Sequence, residues 1–103
     1  MQHLVAPMQF AHLLTTTKTL VIDVRPRPKA RPITAGHYWH ISRNALVRMG
    51  EIAQASGEEL LVIDSATHAA ADVAVLRKAH LTDFAVLKGG VANYRVTMQM
   101  GTY

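Results

Sequence analysis

The chain has 103 residues, 50% of them apolar, with 11 Lys and Arg against 7 Asp and Glu, a formal charge of +4 and no cysteine. That size and apolar content suit one compact domain over residues 1–103, and no apolar run approaches the roughly 20 residues of a membrane-spanning helix. Absence of cysteine excludes disulfides, thiolate metal sites, persulfide chemistry and a thiol nucleophile, and the scattered basic excess lacks an aromatic stacking set, so neither nucleic acid nor membrane is an expected partner.

Residues 1–14 are interrupted by His3, Pro7, Gln9 and His12 and lack the basic start and apolar block of a signal peptide, which makes a cytoplasmic location the default expectation. Pro7, followed by Met8, Phe10, Ala11, Leu13 and Leu14, predicts a short helix that begins on proline and ends in the threonines at 15–17. Leu20 to Val24 is a continuous apolar and β-branched run with Asp23 inside it, the pattern of a strand buried on both faces. Three prolines between Arg25 and Pro32 forbid a regular helix or central strand there.

Beyond Gly36, Tyr38 to Ile41 reads as a short strand. Asn44 to Ala55 reads as a helix, with Ala45, Leu46, Met49, Ile52 and Ala53 at helical spacing before Ser56 and Gly57 stop it. Leu60 to Ile63 is a second buried strand, and Ser65 to His68 a brief polar loop. Ala69 to Ala79 is expected to be a helix with Ala70, Val73, Ala74 and Leu76 inward and Asp72, Arg77 and Lys78 outward. Phe84 to Leu87 is a third strand, Gly89-Gly90 a tight turn, and Val91 to Met100 a closing helix. Strands alternating with helices predict an α/β fold with a parallel sheet covered on both faces. Ligands in such folds bind beyond the carboxyl ends of the strands, so the segment after Ile63 is where chemistry is expected.

Four segments in order resemble the rhodanese family of sulfurtransferases and cell-cycle tyrosine phosphatases: Val21-Ile-Asp-Val-Arg25, Gly36-His37, Leu61-Val-Ile-Asp64 with its following helix, and Leu87-Lys-Gly-Gly-Val-Ala-Asn-Tyr-Arg95. Tyr94 stands where the family usually has tryptophan, and the proline-rich 26–32 segment and Tyr38-Trp39-His40 depart from its pattern. The resemblance covers nearly the whole chain and implies a five-stranded, mainly parallel sheet with helices on both faces. It also implies an active-site loop of about six residues, opened by a nucleophilic cysteine, between a buried strand and a helix. The equivalent residues here are Asp64, Ser65, Ala66, Thr67, His68, Ala69 and Ala70, with Asp64 at the cysteine position and Ser65 as the alternative under a one-residue shift.

Neither residue restores sulfur transfer, because an oxygen nucleophile does not carry sulfane sulfur as a persulfide does and Ser65 has no evident base. The loop also lacks arginine and glycine, so a small anion is not expected in it. Three uses of the Asp64 carboxylate stay open: it fills the cradle of loop amides that an anion would occupy, with its pKa lowered, it caps the helix start or faces solvent, or it acts as a nucleophile or metal ligand, as in phosphoryl-transfer enzymes with an aspartate after a strand. The resemblance assigns Asp23, Arg25 and His37 structural tasks at the rim. His37, His40 and His68 fix no metal site, and no cofactor is expected. Trp39 and Tyr38, with Arg25, Arg27, Lys29 and Arg31, offer a surface for an acidic protein partner, unless Trp39 completes the core instead. The function expected is a non-catalytic rhodanese-like domain with a regulatory, structural or protein-interaction role, the alternative being a sulfurtransferase or phosphatase-like enzyme using the same loop.

Overall fold

A computed structural model describes residues 3–16, 18–25 and 39–90. The proline-rich stretch from residue 26, Gly36, His37, Tyr38 and the expected closing helix from Val91 to Met100 lie outside the described residues.

In chain order the elements are β1 (Leu4–Val5), α1 (Pro7–Thr16), β2 (Thr19–Asp23), β3 (Trp39–His40), a 3-10 turn (Arg43–Ala45), α2 (Leu46–Ala55), β4 (Glu59–Ile63), α3 (Ala66–Lys78) and β5 (Phe84–Leu87). The strands form one sheet in the order β1-β5-β4-β2-β3, and each neighbouring pair is parallel. All carboxyl ends therefore open on the same edge of the sheet.

The apolar runs of β2, β4 and β5 become the three inner strands because they have apolar residues for both faces. Leu60 and Val62, with Ile22, Phe84 and Val86, pack against Leu46 and Ala53 of α2 and Ala69, Val73 and Leu76 of α3. Leu61 and Ile63, with Val21, Ala85 and Leu87, pack on the opposite face, where Phe10 of α1 lies. Each of the Val, Leu, Ile and Phe side chains among them contributes about 1.5–3 kcal/mol by leaving water. The edge strand β1, too short to signal itself in the sequence, is held by Val86 N–H to His3 O (2.7 Å) and Lys88 N–H to Val5 O (2.8 Å). The His3 ring also stacks on Phe84 with centroids 3.9 Å apart.

The helices depart from the sequence expectation in phase. α3 begins at Ala66, not Ala69, and buries Ala69, Asp72, Val73 and Leu76; Ala70 and Ala74 are exposed, and Asp72, expected outward, is inside. In so alanine-rich a helix the apolar stripe barely differs from its neighbours, so a one-residue shift, about 100° of rotation, goes unmarked. In α2 the buried residues are Leu46, Gly50 and Ala53, while Ile52 is exposed. A Cβ at Gly50 would come 2.5 Å from Leu81 Cδ1, so the missing side chain is what lets α2 lie close to that residue. Trp39 is 63% exposed on the edge strand and belongs to the surface, not the core.

Both α2 and α3 end with a left-handed residue, Gly57 (φ 70°) and His80 (φ 63°). In each, the following N–H reaches back to close the last turn, Glu58 to Ala53 O (2.8 Å) and Leu81 to Leu76 O (3.2 Å). Among the described residues no helix is long and apolar enough to cross a membrane.

Candidate functional site

Side chains alternate along β4, so Asp64, immediately after Ile63, continues the row of Leu60 and Val62 toward α2 and α3. Its side chain is fully buried, 0% exposed, at the carboxyl end of a central strand. Arg43 reaches it from the 3-10 turn, whose start is fixed by Ser42 Oγ accepting the Asn44 N–H. The guanidinium grips the carboxylate side-on: Nε donates to Oδ2 (3.1 Å), and Nη2 to Oδ1 (2.7 Å) and Oδ2 (2.8 Å). Ser65 N–H donates to Oδ1 at 2.7 Å.

The rotation of α3 adds a third member. Asp72, 1% exposed, places Oδ1 3.4 Å from Arg43 Nε, and its Oδ2 has no hydrogen-bond acceptor or donor among the described residues when read as a carboxylate. Two buried acids share one cation, and the resolution is a proton on Asp72. Burial, then the hydrogen bond and negative charge of Asp64, push the Asp72 carboxyl up to about 8, with Arg43 pulling back only in part. Burial also works to raise Asp64, but the hydrogen bonds from Asp72, Arg43 and Ser65 outweigh it and hold Asp64 below its ordinary value. Arg43 is raised, mainly by its hydrogen bond to Asp64, against an opposing effect of burial. The cluster at neutral pH is thus one carboxylate, one guanidinium and one neutral acid.

A second pair sits at the end of β2. Asp23, 1% exposed, accepts from Arg25 Nε (3.0 and 3.1 Å), Nη2 (2.6 Å) and backbone N–H (3.1 Å). Asp23 and Arg25 therefore bind each other at the rim. His40, in register with Asp23, bonds through Nε2 to Arg25 O at 2.9 Å. His37 lies outside the described residues.

The remaining expected loop residues are not a loop. Ala66, Thr67, His68, Ala69 and Ala70 are the first turns of α3, with His68 N–H and Ala69 N–H both bonded to Ser65 O at 3.1 Å. The extended Ser65 (φ −72°, ψ 156°) at the helix start leaves only two residues between strand and helix, too few for a ring of amides. Asp64 accordingly takes one backbone N–H and relies on Arg43 for the rest, which is neither the expected amide cradle nor a solvent-facing cap. Ser65 Oγ, expected to lack a base, lies 2.9 Å from His68 Nδ1. Both are on the outer side of the helix start, and among the described residues no third group orients the imidazole, as a nucleophile–base pair would require.

Gly90 closes over the same helix start. With φ +72° it has a conformation costly for other residues, and a Cβ there would lie 2.5 Å from Ala66 N and 3.1 Å from Ser65 C. Gly90→Ala is expected to destabilise the domain by about 2 kcal/mol or more, from backbone strain plus collision with a rigid helix start. Urea unfolding measures this, and a loss below about 0.5 kcal/mol would contradict the close contact.

The site has no thiol, and among the described residues it has no free carboxylate at its mouth and no cluster of three metal-ligating side chains. Its charges cancel within it. The sequence did not single out Arg43 or Asp72. The only available signal was an acid interrupting the alanine-rich 69–76 stretch, and nothing local ties Arg43 to residues 21 and 29 positions further along.

No protein-family model matches the chain, and no curated protein matches it. Among solved structures it is similar to the solution NMR structure of the rhodanese-like domain from an Anabaena sp. protein, at 22% identity and a TM-score of 0.63, covering 94% of this chain and 76% of that one. The chain has the rhodanese-like fold, here an all-parallel five-stranded sheet with three helices among the described residues.

Proposed function

We propose that this chain is a non-catalytic rhodanese-like module with a regulatory, structural or protein-interaction role. The carrying observation is Asp64: a buried carboxylate at the end of β4, clamped by Arg43 and the Ser65 N–H, at the place where the family resemblance puts the reactive cysteine. A carboxylate held in an ion pair is no carrier for sulfane sulfur, and the chain has no cysteine to hold a persulfide. The start of α3 at Ala66 removes the loop that would surround a substrate.

The direct test is incubation of the purified domain with thiosulfate and cyanide. Thiocyanate is expected to form no faster than in a protein-free blank. Formation that scales with protein concentration would overturn the reading.

A further inference from the structure

A cleft of about 370 Å³ opens at the carboxyl ends of β2 and β3, the edge of the sheet where α/β folds take ligands. Val24 and Ile41 supply apolar wall, and Arg25, His40, Ser42, Arg43 and Asn44 the polar lining. Among the described residues no carboxylate lines it, because Asp23 and Asp64 are buried behind their arginines.

The lining groups differ in what they can still offer. Arg43 commits its Nε and Nη2 edge to Asp64, while Nη1 has no hydrogen-bond partner among the described residues, and 32% of the side chain is exposed. Because a guanidinium is planar, that open edge points away from Asp64 and is held in position by the clamp. Ser42 Oγ accepts the Asn44 N–H, so its hydroxyl proton is available to a ligand. The Asn44 side chain is exposed and carries two further donors. His40 is different: its Nε2 faces Arg25 O, which leaves Nδ1 as the ring atom open to the cleft's contents.

We propose that this cleft binds a carboxylate group through the open edge of Arg43, assisted by the Ser42 hydroxyl and the Asn44 amide. A preorganised guanidinium edge matches a planar carboxylate, and the clamp lowers the ordering cost of binding. Asp23 with Arg25 and Asp64 with Arg43 already balance, so a monoanion fits better than a doubly charged phosphate. Val24 and Ile41 suit the carbon chain next to the carboxylate. The carboxylate comes from a free monocarboxylic acid or from an acidic peptide. This deepens the non-catalytic reading by naming a ligand class, and it rests on that reading only in treating the cleft as a binding site, so the thiocyanate assay and the test below fail separately.

The test is an amide NMR titration of the whole chain with sodium propionate, with a capped peptide bearing one glutamate, with inorganic phosphate, and with sodium chloride at matched ionic strength. Saturable shifts are expected at residues 24–25 and 40–44 with propionate and none with chloride. Asn44→Glu, on an exposed side chain, is expected to weaken binding at least about tenfold by like-charge repulsion, and Asn44→Ala by a few-fold, both with the remaining spectrum unchanged. Tighter binding of the peptide assigns the carboxylate to a protein partner, and equal or weaker binding assigns it to a free acid. Shifts spread over the basic surface, binding indifferent to Asn44→Glu, or phosphate binding tighter than propionate would overturn the proposal.

Discussion

Asp64→Ala is expected to lower the stability of the domain by about 3 kcal/mol, with a fall in Tm of about 12–24 °C. The loss comes less from the missing attraction than from what remains: an Arg43 guanidinium held near a buried site without its counterion, and a Ser65 N–H without its acceptor. Replacing both partners, as in Asp64→Leu with Arg43→Met, is expected to recover most of that loss, because an apolar pair of similar volume escapes the desolvation cost of two charges. Chemical unfolding of Asp64→Leu, Arg43→Met and the double variant measures the coupling directly. If Asp64→Ala costs no more than a surface substitution, about 0.5 kcal/mol, the clamp does not hold the end of β4.

Asp72→Asn is expected to act in the opposite direction. In the fold Asp72 keeps its proton up to about pH 8, while in the unfolded chain it ionises near 3.8. Between those values the unfolded chain binds fewer protons, so the contribution of Asp72 to stability falls as pH rises through that window, by at most about 1.4 kcal/mol per unit. Asparagine carries no charge to lose, and its NH2 can donate to Asp64 as the protonated acid does. The variant should match the parent near pH 4 and exceed it by about 2 kcal/mol or more at pH 8, a rise in Tm of about 8–16 °C. Asp64 has the reverse dependence. Its folded value is lowered, so its stabilisation is complete above the unfolded value and is lost as pH falls through the folded one. A constant difference between Asp72→Asn and the parent from pH 4 to 8 would show that Asp72 is ionised throughout.

Much of the architecture was legible because it is written in local runs. Leu60 to Ile63 and Phe84 to Leu87 carry apolar residues for two faces, and only an inner parallel strand uses both. Pro7 marked the start of α1 and Gly57 the end of α2 for equally local reasons, a fixed φ and a tolerated positive one. Asp64 could be placed at the strand end by continuing β4 one residue. What the sequence hid was of two kinds. The face of α3 was ambiguous because Ala69, Ala70 and Ala74 are nearly alike in hydropathy, and that ambiguity concealed Asp72. The Arg43 contact depends on a 3-10 turn from a different part of the chain, so no periodicity or spacing announces it. The two-residue edge strand β1 was invisible for want of length, since its pairing comes from β5 and not from its own residues.

Aligned by motif, Asp64 through Ala70 looks like a loop that has lost its reactive residues. Built in three dimensions, five of those residues are helix, and the strand end is sealed by Arg43 from one side and Gly90 from another. With the amides drawn into the helix, a buried carboxylate needs a guanidinium to satisfy it.

The measurement closest to this claim is a carboxyl carbon-13 NMR titration that follows Asp64 and Asp72 individually from acid to pH 10. Asp64 should stay ionised to below the ordinary aspartate range while Asp72 takes up its proton near pH 8. Both side chains titrating together near their unfolded values would mean that no shared cation joins them, and that the end of the sheet is open.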